Sequence, residues 1–68
     1  MIEVFKTNIE NREEAERIRK LLLDQIPYSK VNFDLEDCDK VLRVEGTVSP
    51  LEVIELVKEH SYQCESLE

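Results

Sequence analysis

Residues 31–45 of the chain read VNFDLEDCDKVLRVE, and this stretch decides the fold. Val31, Phe33 and Leu35 alternate with polar residues, and Leu42 and Val44 continue the alternation after a short acidic break. Because successive side chains of a strand point to opposite faces, this period of two indicates strands with one wet face. The sequence therefore predicts a hairpin with strands over residues 30–36 and 40–45.

The segment before this hairpin predicts a strand followed by a helix. Residues 2–8 are short and rich in β-favouring side chains, although the pattern leaves open which parity faces the core. Asn11 offers an N-cap, and Glu14 follows three residues later, as in a capping box. Apolar residues then recur at helical spacing: Ala15, Ile18, Leu22 and Ile26. We expect a first helix over residues 11–26, ended by Pro27, which cannot continue the hydrogen-bond ladder.

The segment after the hairpin predicts a second helix and a last strand. Ser49, Pro50 and Glu52 provide an N-cap, a first-turn proline and a capping-box acid, and this is the clearest helix start in the chain. Residues 62–67 are too short for another helix and suit an edge strand. The order of elements predicts an α+β, ferredoxin-like βαββαβ fold, with a four-stranded antiparallel sheet and two helices on one face.

Composition and charge limit the classes of partner. The 68 residues carry a formal net charge of −7, which repels nucleic-acid backbones and anionic membrane surfaces. The chain has neither a long apolar run nor a secretory start, so we expect a cytoplasmic, monomeric protein. The closing pair Leu67-Glu68 resembles the residues that cloning leaves before a purification tag, so we take a single domain to span residues 1–66.

Five segments in this order resemble the heavy-metal-associated domain family. Residues 5–9, Phe-Lys-Thr-Asn-Ile, are similar to the family's first strand and metal-loop entry, and Ile18 with Leu22 follows the apolar spacing of its first helix. Residues 31–35 and 39–46 resemble its second and third strands, and residues 53–57 with Tyr62 resemble its second helix and terminal aromatic. The resemblance covers essentially the whole chain and implies the same ferredoxin-like fold.

The chain departs from that family at the metal ligands. The resemblance implies two cysteines, one in the first loop and one at the start of the first helix, which bind soft ions such as Cu(I) or Zn(II). Asn11 and Glu14 stand at those positions here. An amide and a carboxylate are poor substitutes for two thiolates, and both suit a helix cap. The alternative, an oxygen-ligand site for a hard cation, has too few protein groups.

The sequence also allows one metal site with unconventional ligands. The first loop, the hairpin turn and the loop before the last strand share one end of the predicted fold, so Cys38, His60 and Cys64 are candidates for a Cu(I) or Zn(II) site. The alternative is that Cys64 is a buried strand residue and His60 a partly buried structural one. Tyr62 either shapes the former metal loop or simply packs beneath it, and the acidic residues around Cys38 indicate a solvated turn.

These observations predict a non-catalytic protein. The single histidine has no nucleophile beside it in sequence, and no Gly-rich phosphate loop is present. We expect no enzyme activity and no cofactor. We expect the protein to act by contact with a protein partner, either at the end of the fold that holds these three loops or at an exposed sheet edge. A metal-binding or metal-trafficking role through the three unconventional ligands is the alternative.

Overall fold

A computed structural model describes residues 2–67 and contains four strands and two helices in the order βαββαβ. The elements are β1 (Ile2–Thr7), α1 (Arg12–Gln25), β2 (Lys30–Asp34), β3 (Val41–Glu45), α2 (Pro50–Glu59) and β4 (Cys64–Ser66). The strands form one antiparallel sheet in the order β2-β3-β1-β4, so β2 and β4 are the two edges. The predicted α+β, ferredoxin-like fold is confirmed.

In β1 the side chain of Phe5 faces the core, whereas those of its apolar neighbours Ile2 and Val4 lie on the opposite face. Phe5 is fully buried, whereas Val4 is half-buried and Ile2 is 51% exposed on the opposite face. Glu3 and Thr7 share the parity of Phe5 and are therefore buried on the helix side. This assigns the parity that the sequence pattern of residues 2–8 left open.

Both helices cover the same face of the sheet and meet in one core. The apolar stripe predicted for α1 is confirmed, since every member is buried: Ala15, Ile18, Leu22 and Ile26. Val53 and Val57 of α2 are fully buried in the same cluster as Phe5 and Leu42. Burial of such side chains contributes about 1.5–3 kcal/mol each, which makes this layer the main source of stability. Neither helix within residues 2–67 is long and apolar enough to cross a membrane.

The strands are shorter than predicted, most of all at the end of β2 and the start of β4. β2 ends at Asp34, so Leu35 and Glu36 belong to the turn, and β4 begins only at Cys64, which leaves Tyr62 in the preceding loop. The backbone N–H of Leu67 still donates to the carbonyl of Val4 (2.9 Å), which continues the pairing of β4 with β1. Glu68, the other member of the suspected cloning pair, lies outside the described residues.

α2 ends in a turn that requires a left-handed residue. Ser61 has φ of 70°, the N–H of Ser61 donates to the Lys58 carbonyl (3.0 Å), and the N–H of Tyr62 donates to the Val57 carbonyl (3.4 Å). These are the two hydrogen bonds of a Schellman motif, in which glycine is the usual residue at the left-handed position. Serine therefore imposes backbone strain at this helix end.

Candidate functional site

Three connections meet at one end of the sheet, and we call this region the loop end. It comprises residues 8–11 after β1, residues 35–40 between β2 and β3, and residues 60–63 before β4. The N–H of Thr7 donates to the Asp39 carbonyl (3.2 Å), and the N–H of Gln63 donates to the Asn8 side-chain oxygen (2.8 Å). The loop end is therefore one continuous surface in which the resemblance places the family's metal site.

Asn11 caps α1, as predicted. Its backbone is extended (φ −112°, ψ 156°), and its Oδ1 accepts a hydrogen bond from the N–H of Glu14 at 2.8 Å. Its carbonyl accepts from the N–H of Ala15 at 3.1 Å and so begins the helical ladder. The side chain satisfies one of the first-turn donors that a helix leaves without an internal partner. The first of the two positions that the resemblance aligns with metal-ligand cysteines thus carries a helix cap.

Glu14 is bound by Tyr62 across the loop end. The Tyr62 hydroxyl donates to Oε2 of Glu14 at 2.8 Å, over 48 positions of sequence, and both side chains are half-buried. This hydrogen bond raises the pKa of Tyr62 above its ordinary value of 10.0, with desolvation and the negative charge of Glu14 acting in the same direction and Arg17 acting against them. The capping-box prediction was correct for the Asn11 side chain, whereas the Glu14 carboxylate is used by the tyrosine.

Tyr62 combines core packing with a polar contact at the loop end. Its ring packs against the hydrophobic core, and its hydroxyl binds Glu14 at the start of α1. Tyrosine supplies an apolar body and a polar tip in one side chain, which suits a position at the boundary of a core. The aromatic therefore holds the start of α1 against the loop before β4.

Two further polar residues close the loop end, and the sequence analysis did not identify them. The Thr7 hydroxyl donates to the Lys40 carbonyl (2.7 Å) and accepts from the N–H of Ile9 (3.2 Å), and Ile9 itself is fully buried. Asn8 holds the loop before β4 through its bond to Gln63. The sequence offered one indication of this role. Thr7 is a polar residue at the end of β1 on the same face as Phe5, and a buried hydroxyl needs hydrogen-bond partners.

The structure separates the proposed unconventional ligands by burial. Cys38 is exposed in the hairpin connection, His60 is exposed at the C-cap of α2, and Cys64 is only 3% exposed in β4. The expectation of a partly buried histidine was wrong, because α2 ends at Glu59 and directs the following residue outward. Among residues 2–67 the ligand atoms of these three residues do not form a group within 4.8 Å of one another.

Burial also makes Cys64 a weak ligand. Desolvation raises the pKa of its thiol to about 11, partly offset by the nearby positive charge of Lys58. Because metal ions bind the thiolate, a thiol that stays protonated at neutral pH must release its proton at an additional cost. Cys64 behaves as a small core residue, which is the alternative that the sequence analysis gave for it.

One ligand group does come together in the described part of the chain, in the hairpin connection. Asp37, Cys38 and Asp39 each offer one atom within 4.8 Å of the others. The same residues form a local turn, in which Oδ1 of Asp37 accepts from the N–H of Asp39 (2.8 Å) and Asp39 lies 3.8 Å from the Lys6 ammonium. These contacts account for the cluster as the solvated acidic turn that the sequence predicted.

Comparison with known proteins gives no relative from which a function can be transferred. No family model matches the chain, and neither the curated proteins nor the solved structures contain a match. The argument for function therefore rests on the loop end and on the surfaces of the sheet.

Proposed function

We propose that this protein is a non-catalytic relative of heavy-metal-associated domains whose soft-metal site has been lost, and that it acts by binding a protein partner. The observation that carries the proposal is the hydrogen bond between Tyr62 and Glu14 at 2.8 Å. It lies where the resemblance places the second metal ligand, and Asn11 caps α1 where it places the first. Both positions thus have structural roles that do not involve a metal.

The charge and hardness of these groups support the same conclusion. Cu(I) prefers soft thiolate ligands, and a carboxylate and an amide oxygen offer none. A hard cation such as Mg²⁺ or Ca²⁺ needs about six oxygen ligands, whereas Asn11 and Glu14 provide two side chains that already accept hydrogen bonds. The loop end or an exposed edge of the sheet would then be the surface that contacts the partner.

A catalytic role finds no support in the surroundings of His60. This side chain is the usual general base at neutral pH, but here it is exposed at the end of α2. A general base must lie within about 2.6–3.2 Å of the proton that it removes, in a site that positions the substrate. We therefore propose a binding function and no reaction.

A Cu(I) competition titration of the wild-type protein under reducing conditions tests the proposal. We expect no stoichiometric binding tighter than micromolar, because Cys64 is buried and Cys38 is a single exposed thiol. The matched control is the Cys38→Ser, Cys64→Ser double variant, which should give the same titration curve as the wild type. Tight one-to-one binding that the double variant loses would favour the metal-trafficking alternative and contradict the proposal.

A further inference from the structure

The two edges of the sheet differ in how their outward-facing carbonyls are covered. At the β2 edge, Nε of Arg19 donates to the Val31 carbonyl at 3.1 Å, and Nζ of Lys40 donates to the Leu35 carbonyl just beyond the strand at 3.2 Å. Side chains that occupy outward carbonyls protect an edge from pairing with another chain. The β2 edge is therefore covered by a side chain at the Val31 carbonyl.

The β4 edge presents its backbone groups to solvent. The Thr7 N–H points to the β3 side, so the neighbouring residue Lys6 exchanges backbone bonds with Glu65 of β4. The bond from the Leu67 N–H to the Val4 carbonyl shows the same alternation. It follows that the N–H and C=O groups of Cys64 and Ser66 point away from β1. Among residues 2–67 these four groups have no backbone partner.

A pocket of about 440 Å³ lies beside this edge. Its lining consists of Lys6, Lys58, Tyr62, Gln63, Cys64 and Glu65. The charged members of the lining are the cations Lys6 and Lys58 and the anion Glu65, in a chain of net charge −7. Lys58 forms no ion pair within 4.0 Å with any carboxylate of residues 2–67, whereas Lys6 already lies against Asp39.

Pairing of β4 with a second copy of itself is disfavoured by Glu65. An antiparallel two-fold pairing that uses all four free groups must place Cys64 opposite Ser66 of the other copy. The same register puts Glu65 directly opposite its own symmetry mate, and like charges at that position are destabilising. Glu65 therefore disfavours pairing of the β4 edge with a second copy of this chain. The free backbone groups can still pair with a different strand.

We propose that the β4 edge binds an extended segment of a partner protein, which adds a fifth strand to the sheet and carries a carboxylate on the side facing α2. The backbone of the segment pairs with the free groups of Cys64 and Ser66, as in other cases of strand addition. Its carboxylate pairs with the Lys58 ammonium, which lines the pocket beside this edge. This inference rests on the proposed binding function and names its surface and its class of partner.

The test uses two end-blocked hexapeptides of alternating threonine and valine, one with a central glutamate and one with lysine at the same position. In the wild-type protein the glutamate peptide should slow hydrogen exchange at the Cys64 and Ser66 amides. It should bind about threefold to fivefold more tightly than the lysine peptide, as expected for one exposed ion pair. Lys58→Glu should reverse the preference without a change in fold.

A matched pair of variants isolates the backbone contact. Ser66→Pro removes an N–H that no bond of the fold uses, and proline is tolerated on edge strands, so binding should weaken about tenfold. Ser66→Ala keeps the N–H and should bind as the wild type does. If Ser66→Pro fails to fold, the charge reversal at Lys58 still decides the question.

Three results would overturn the proposal. They are equal affinity for the two peptides, protection at the β2 edge in place of β4, and no saturable shift at millimolar peptide. Self-association that Ser66→Pro abolishes would identify a second copy as the occupant and would also overturn it. None of these bears on copper, so failure here is distinguishable from tight Cu(I) binding, which would overturn the proposed loss of the metal site.

Discussion

The two helices begin with the same kind of capping sequence, but only one of them has a side-chain hydrogen bond at its N-cap. Asn11 and Glu14 open α1, and Ser49 and Glu52 open α2 at the same spacing. The Asn11 side chain accepts from the Glu14 N–H, whereas the Ser49 side chain makes no capping hydrogen bond. α2 is instead held by Pro50, whose fixed φ suits the first helical position, and by the buried Val53.

The two helix starts also lie in different surroundings. The start of α1 belongs to the loop end, where Tyr62 binds Glu14 from another connection. The start of α2 follows the loop after β3, in which Gly46 has φ of 138° and its missing Cβ would lie 3.4 Å from the Cα of Ser29. A capping sequence therefore indicates where a helix begins, but it does not by itself decide which side-chain bonds form.

The largest difference between the two starts should appear on removal of the capping side chains. Asn11→Ala should destabilise the protein by about 1 kcal/mol, equivalent to a fall in Tm of about 4–8 °C for a domain of this size. Ser49→Ala, the matched control, should change the stability by a few tenths of a kcal/mol at most, because no side-chain bond is lost. Urea unfolding measures both, and equal losses would mean that the two starts are equivalent.

The fold was predictable because its signals are local and periodic. The alternation of residues 31–35, the helical spacing from Ala15 to Ile26 and the stop at Pro27 each express a packing requirement that the chain itself carries. The ends were less predictable: β4 is only three residues long, and Tyr62 lies outside it. The ends of β4 depend on its pairing with β1, and no property of residues 62–67 specifies that pairing.

The candidate site was predictable only in part. The capping role of Asn11 followed from its spacing to Glu14, because both partners lie within one turn of helix. The bond from Tyr62 to Glu14 and that from Gln63 to Asn8 join residues 48 and 55 positions apart, and they depend on the assembled sheet. The open edge at β4 likewise follows from the strand order and has no counterpart in composition.

The end of α2 also contributes to the stability of this helix, which lacks a side-chain cap at its start. Ser61→Gly should stabilise the protein by about 0.5–1 kcal/mol, because glycine adopts φ of 70° without a steric penalty. Ser61→Ala keeps the Cβ and should give no gain. If neither substitution changes Tm, the left-handed residue does not limit the stability of α2.

A smaller effect is expected at the second contact of the α1 start. Tyr62→Phe keeps the ring in the core and removes only the hydroxyl that binds Glu14, so it should destabilise the protein by less than Asn11→Ala does. Glu14→Gln should lose a similar amount, and the two together should lose less than the sum of the two. Fully additive losses would show that the two side chains do not interact in solution.

The smallest effect concerns alkaline pH. The pKa of Tyr62 is raised in the folded protein, so the folded state holds this proton more tightly than the unfolded state does. The stability from the bond to Glu14 is therefore complete below about pH 10 and is lost as the pH rises above that value. A tyrosinate titration should show Tyr62 ionising at lower pH in Glu14→Gln than in the wild type, and an unchanged titration would argue against the bond.

The most direct test of the proposed loss of a metal site is to place cysteines at the two positions, with Asn11→Cys combined with Glu14→Cys. We predict that this variant folds, is less stable than the wild type because it lacks the cap and the bond to Tyr62, and binds one Cu(I) per chain under reducing conditions. Its affinity should exceed that of the wild type by orders of magnitude, because the two thiolates then stand at the spacing that soft ions require. A variant that folds but binds Cu(I) no more tightly than the wild type would contradict the proposal that the loop end derives from a metal site.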